Sequence, residues 1–468
     1  MSLLILAPML AAFAQIPDFT PPNPLIAALM NNDTADVKRI LDAGTKANEG
    51  VFLGATPLLL ALMQGNTEAA QLLLDKGADP KVLDGAGSTT LMWAAGAENA
   101  NVGMVKVLIG RGVDPGVVNK MGETALQWAM RRGYTPVTEL LMQQGSSATN
   151  LVRQSVQRSI NLLQKSGVEF VKVSGCVSCH HQSLPQMLNQ VARERGFAVD
   201  QTIADKQRKA VVAMFQPVRE QMAQGKPSLP DPSISVTYSL IGIAAEGHVQ
   251  DEMTAAAAHL VSVQQREDGS FRSFAVRPPM ESSEITATAL SLRALQLYGM
   301  SADQPVERIQ KAVNWLCSAQ PRTNEDRAMR LLGMAWGKAP AEAMKRAARD
   351  LLGKQRQDGG WAQLENLESD AYATGQAMVA LQAAHEIAPG SAAFGNAVAY
   401  LLRTQMADGS WLVRTRAFPF QPLKESGFPH GRDQWISASG TGWAAMALAL
   451  SAPVPASQPE KQQLSQVF

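Results

Sequence analysis

Apolar positions along this chain fall into two successive helical registers. Between Pro24 and Gly145, short apolar stretches follow Thr56-Pro57-Leu58, Thr89-Thr90-Leu91 and Thr124-Ala125-Leu126, a recurrence of about 33 residues with an apolar helix pair in each unit. The unit ends recur as well. Asp42-Ala43-Gly44, Asp75-Lys76-Gly77-Ala78-Asp79-Pro80, Arg111-Gly112-Val113-Asp114-Pro115 and Gln144-Gly145 supply the Gly that stops a second helix, and the middle two add an Asp/Pro turn. With a degenerate first unit from Leu25 to Asn48, the pattern predicts about four helical repeats over 24–145, enough to bury a continuous core.

The second register begins near residue 151 and is built from longer helices. Ala- and Leu-rich amphipathic stretches at Ala255–Gln264, Ala347–Lys354 and Ala397–Thr404 each run into a Gln-x-x-Asp-Gly-x-aromatic turn. The turns are Gln265 to Phe271, Gln355 to Trp361 and Gln405 to Trp411, and a helix follows each. A degenerate copy at Trp315-Leu316-Cys317-Ser318-Ala319-Gln320 keeps the Gln and loses the Asp-Gly. Gln at a helix end and Asp-Gly in the turn can satisfy open backbone groups while the aromatic packs on the neighbouring unit. Ser159–Gln164 reads as the end of another outer helix, and His181–Arg195 as the inner helix after it. Residues 176–180 then occupy a loop in the same register, at one rim. The expected fold is all-α: a repeat solenoid, then helical hairpins over 151–452, then a polar tail at 453–468.

Two families resemble these registers. The Thr-Pro-Leu and Gly-Ala-Asp signatures resemble the ankyrin family over the first third only, and the resemblance implies a concave surface that docks a protein partner. A cap on the second domain is the structural alternative. The family's His after Thr-x-Leu is missing, with Leu59, Met92 and Gln127 in its place, which predicts weaker turns. The Gln/Asp-Gly/aromatic turns resemble the QW motif of the squalene-hopene cyclase and prenyltransferase family, which implies an α/α toroid of concentric helices. That family's Asp-x-Asp-Asp proton donor is not intact. Asp370 in Glu368-Ser369-Asp370-Ala371 matches the middle Asp, but Ala371 stands where the last Asp belongs, and Glu281-Ser282-Ser283-Glu284 matches less well. The Asp-Asp-x-x-Asp of diphosphate-ionising synthases is absent, and the prenyltransferase zinc ligands cannot be mapped. Aromatic residues make up 6% of the chain, few for a cavity that stabilises carbocations. Asp370 is a catalytic candidate only for a residual cyclase; its plain reading is a helix N-terminal carboxylate. An apolar small molecule in the toroid cavity is the corresponding ligand expectation.

Composition changes the picture at one point. The chain has 3 Cys, and two of them lie in Cys176-Val177-Ser178-Cys179-His180. Two thiols two residues apart followed by an imidazole form the attachment pattern of a c-type haem, with Cys176 and Cys179 as thioether sites and His180 as proximal iron ligand. A zinc site needs four ligands and is short of them here. A redox dithiol also fits the spacing, but without a βαβ context. For the sixth ligand, His181 is adjacent and cannot reach the opposite haem face. His248, His259 and His385 read as helix-associated side chains. His430, in the loop Gly427 to Asp433, approaches if the ring closes; Met187, another Met or an open site are the alternatives. Cys317 reads as an inert thiol on an apolar helix.

Residues 1–14 end in Ala12-Phe13-Ala14 and predict a signal peptide, although no Lys or Arg precedes the apolar run. No stretch reaches the ~18 apolar residues of a spanning helix. A formal net charge of +1 argues against nucleic acid as a partner. The sequence therefore predicts an exported, periplasmic monohaem c-type cytochrome-like protein, for electron transfer or haem-linked binding, that docks a protein partner such as a redox enzyme through its repeats; a degenerate cyclase-like enzyme or an apolar-ligand-binding scaffold is the alternative.

Overall fold

The computed structural model describes residues 21–453 apart from 134, 144–145, 227–228, 276, 300–304 and 419–422, and the side chains of 143–149 are not described. The predicted signal at 1–14, and the tail past Pro453, lie outside the described residues. The chain divides into two compact units, residues 1–147 and 148–468.

The first unit is a stack of helix pairs: α1 (Pro24–Met30) with α2 (Thr34–Asp42), α3 (Pro57–Met63) with α4 (Thr67–Asp75), α5 (Thr90–Gly96) with α6 (Val102–Gly110), and α7 (Ala125–Met130) with α8 (Pro136–Gln143). Each first helix starts where a polar side chain caps it. Asn23, Thr56, Thr89 and Thr124 accept the N–H of Ile26, Leu59, Met92 and Gln127. The missing family His is partly replaced. Gln127 Oε1 accepts the Thr124 N–H at 2.8 Å, and Met92 Sδ lies 3.4 Å from the Thr89 N–H, whereas Leu59 offers no acceptor. The second helices of the first three pairs turn back through a glycine with positive φ, 99° at Gly44, 88° at Gly77 and 83° at Gly112, and Gly145 lies outside the described residues.

The second unit alternates outer and inner helices. After α9 (Ser146–Ser174) come α10 (Leu184–Glu194), α11 (Gln201–Phe215), the short α12 (Arg219–Ala223), α13 (Pro232–Ala245), α14 (Glu252–Ser262), α15 (Glu284–Tyr298) and α16 (Pro305–Ser318). They are followed by α17 (Asn324–Trp336), α18 (Ala341–Leu352), α19 (Ala371–Ala383), α20 (Ala392–Thr404) and α21 (Gln434–Ser451). The inner helices pack in a cycle: α10 on α13, α13 on α15, and so on through α17 and α19 to α21, which returns to α10. Helices α13, α15, α19 and α21 are buried on nearly every face, whereas α16 and α18 bury only one side. That contrast is what an inner and an outer layer require.

The three full turns share one construction. Gln265, Gln355 and Gln405 each donate to the carbonyl of the turn's own glycine, at 3.1, 2.9 and 3.1 Å. Each also donates to the next outer helix, at Arg308 O, Ala393 O and Ser155 O. Asp268, Asp358 and Asp408 accept the N–H two residues on, and Phe271, Trp361 and Trp411 are buried with their N–H bonded to Thr288, Thr374 and Thr441. In the degenerate copy, Gln320 Nε2 reaches Ser318 O.

One boundary differs from the sequence expectation. α9 does not stop near Gln164 but runs ten residues further to Ser174, because nothing before Gly175 (φ 65°) breaks it. Gly167 is what lets this longer helix pass. A Cβ there would lie 2.6 Å from His181 O and 2.5 Å from Gln207 Nε2, so only glycine fits against the chain below.

Candidate functional site

The extended α9 delivers the motif to its place. Cys176 is exposed just past the helix end, and Cys179 opens a single π-helical turn, Cys179–Ser183, that widens the chain before α10 begins. Such wide turns store irregular geometry and concentrate at functional sites. All three cysteines are free thiols.

The two thiols meet different surroundings. Cys179 Sγ donates to Glu281 Oε1 at 3.6 Å, and Glu281 is paired with Arg277 across a tight backbone bridge. Burial, then the Glu281 charge, pushes the Cys179 thiol well above its ordinary range. Burial raises Glu281 too, against the pull of Arg277. Cys179 is thus a protonated, inward thiol, whereas Cys176 faces solvent.

His180 and His181 are packed among aromatic rings. His181 lies flat on Phe170 with centroids 4.5 Å apart, and His180 meets Phe170 and Trp435 edge to face at 5.3 and 6.0 Å. Their Nδ1 atoms are 2.5 Å apart. Ser178 Oγ lies 3.3 Å from His180 Nδ1, and Ser426 Oγ lies 2.9 Å from His181 Nε2. His180 Nε2 has no hydrogen-bond partner among the described residues. Burial holds both imidazoles neutral, His181 down to about 3 and His180 well below its usual value, with His181 and Arg277 adding to the shift on His180. Among the described residues no cluster of three or more His, Cys, Asp or Glu is placed to hold a bare metal ion.

The loop before α21 does reach the motif from the far end of the unit, through Ser426 on His181 and through Phe428, whose ring is 6.2 Å from that of His181. His430 goes elsewhere: its Nε2 is 2.9 Å from Ser410 Oγ in the third turn, and it is not among the rings around His180. Met187 is buried on α10. Asp370 is the N-cap of α19, accepting the Ala373 N–H at 2.9 Å on one oxygen and Gln363 Nε2 at 3.0 Å on the other. Burial still pushes its carboxyl up to about 6. Sequence reasoning did not single out Ser426, Gln434 or Glu281 as partners of the motif, and had no local signal for them.

A second candidate surface lies in the first unit. A groove of about 790 Å³ is lined by Met63, Trp93, Glu98, Asn99, Trp128 and Arg132, among others. Trp93 and Trp128 meet edge to face at 4.9 Å, and their indole N–H groups are fixed by Asp84 and Glu123. The ankyrin-repeat family model, in three copies, matches residues 25–102 and 91–159. The N-terminal region is built of ankyrin repeats. The match extends from the array into α9 of the second unit, and the groove runs across the ends of the array's first helices. No curated protein matches the chain. No helix among the described residues is long and apolar enough to cross a membrane.

Proposed function

We propose that this protein is an exported monohaem c-type cytochrome-like protein. In this reading Cys176 and Cys179 carry the haem as thioethers, His180 ligates the iron, and the ankyrin repeats dock a protein partner. The repeats themselves are a protein-interaction module. The observation that carries the haem reading is the state of His180: its Nδ1 is held by two neighbours while its Nε2 is left without a partner, directly beside two free thiols. His180 is half-buried, and a ring nitrogen that makes no hydrogen bond keeps its lone pair free for a metal. The donor set fits: two thiols at the attachment spacing, an adjacent imidazole and aromatic walls. Bound haem would supply a one-electron couple. The chain's own residues orient the imidazole: Ser178 and His181 meet its Nδ1, and Phe170 and Trp435 pack beside the ring.

The resemblance to cyclases supports the ring as a scaffold more than as a catalyst, because one Asp370 oxygen caps α19 and the other accepts from Gln363. A reduced pyridine-haemochrome spectrum of protein exported from a host with cytochrome c maturation machinery tests the proposal, beside a Cys176→Ala, Cys179→Ala variant. A c-type band that survives denaturation and vanishes in the variant is the expected result. Its absence from the parent protein rejects the reading.

A further inference from the structure

We infer that His181 is a positioning residue for His180: braced by Ser426 and Gln434, it locks the neighbouring imidazole with its proton on Nδ1, so that Nε2 presents a lone pair. The assignment follows from donors and acceptors alone. The backbone N–H of Ser426 donates to Gln434 Oε1 at 3.1 Å, so the amide oxygen, not the nitrogen, faces Ser426. The Ser426 hydroxyl donates its only proton to that same oxygen at 2.7 Å. Towards His181 Nε2, Ser426 Oγ is therefore an acceptor, and Nε2 carries the proton. His181 is 1% exposed and hydrogen bonds to no carboxylate among the described residues, so it is neutral and has one N–H. Its Nδ1 is then a lone pair aimed at His180 Nδ1, which must be the N–H.

A second chain, independent of the first, agrees. The Ser178 N–H fixes Gln182 Oε1 as an acceptor at 2.8 Å, and the Ser178 hydroxyl donates to it at 3.4 Å. With that proton on Gln182, Ser178 Oγ is placed to accept from His180 Nδ1 at 3.3 Å, which is compatible with the Nδ1–H form. The Nδ1–H tautomer that His181 requires is one that Ser178 can also accept from.

The chemical consequence concerns ligand strength. An N–H that donates to a second imidazole, rather than to a carbonyl, leaves more electron density on Nε2 and makes it a more basic metal ligand. A more basic axial ligand favours the oxidised iron and lowers the reduction potential. This second consequence rests on the haem reading, whereas the tautomer does not.

The experiment uses the full chain labelled with ¹⁵N-histidine, with His180→Gln to assign the signals. Long-range ¹H–¹⁵N spectra are expected to show His180 as the Nδ1–H form and His181 as the Nε2–H form. An Nε2–H form of His180 overturns the inference, with or without haem. In the haem-loaded protein, His181→Phe keeps a ring on Phe170 but removes the acceptor. It should raise the midpoint potential by about 59 mV or more, a tenfold change in a one-electron equilibrium. His181→Asn, with a carbonyl acceptor, should return it part-way. An unchanged potential in His181→Phe with full haem content also overturns the inference. Should that variant fail to fold, Ser426→Ala, which unties His181 from its brace, is expected to shift the potential in the same direction by less; no shift there rejects the role. If no haem attaches to the parent protein, the proposed function fails while the ring spectra still decide the tautomer.

Discussion

Glu325, at the start of α17, is 4% exposed, accepts from Thr286 Oγ1 at 3.0 Å and Tyr372 OH at 2.9 Å, and has no ion-pair partner among the described residues. Burial lifts its carboxyl to about 7. The folded value lies above the unfolded one, so the native state holds the proton more tightly, and stability falls as pH rises from about 4.5 through 7. Replacing Glu325 by Gln should remove that slope and raise the melting temperature at pH 8. The recovered stability is at most about 3 kcal/mol, read from melts at pH 5 and pH 8. Caps in the repeats set a second expectation. Thr124→Ala loses the side-chain cap on the Gln127 N–H, keeps the backbone N–H bond to Gln127 Oε1, and should cost about 1 kcal/mol by urea titration. Local chemistry of this kind was readable from the sequence: the Thr caps and the Gly stops fall where the repeat pattern put them. His181 was not, since its partner Ser426 is 245 residues away and only the folded ring brings them together.

At the scale of elements, the Gln-x-x-Asp-Gly turns show why a motif was legible when its contacts were not. Glutamine and glycine act mostly within their own turn, so spacing alone exposed the helix–turn–helix unit. What each Gln holds on the next outer helix depends on which helix lies beside it. For Gln405 that helix is α9, from the start of the unit: Nε2 reaches Ser155 O and Ser159 Oγ, both at 3.0 Å, and Ser159 Oγ donates to Gly409 O at 2.7 Å. Gly409 has φ 92°, and a Cβ there would lie 2.7 Å from the Arg158 carbonyl carbon. Gly409→Ala therefore meets both backbone strain and a clash, and should destabilise the second unit by more than about 2 kcal/mol in denaturant titration. Gly390→Ala, with positive φ but open space, should cost less. The overrun of α9 past Gln164 was hidden because Gly167 reads as a breaker in a sequence. Here it is a clearance, and its substitution by Ala should disturb His181 before it disturbs the helix.

At the scale of the whole molecule, the two units bury separate cores, and the haem motif with all its partners belongs to the second. If the proposed function holds, a chain starting at Ala148 should still take up haem, with the same pyridine-haemochrome band per protein as the full chain, while losing the ankyrin repeats and any partner they dock. An open stack such as the first unit can gain or lose stability one repeat at a time. A ring cannot, because its last inner helix completes its first. The ties between α9 and the third turn, and between Arg195 and the Ala452 carbonyl at 2.6 Å, are among the contacts most distant along the chain. Synthesis runs from the N-terminus, so the Cys176–His180 segment emerges well before Ser426 and Gln434 exist to brace it. For that interval the whole segment is open, and arrival of the C-terminal helix then encloses His181, while Cys176 stays exposed. Chain order thus acts as a timer: under the proposed function, haem attachment, which needs an open loop, comes first, and the clasp on His181 comes last.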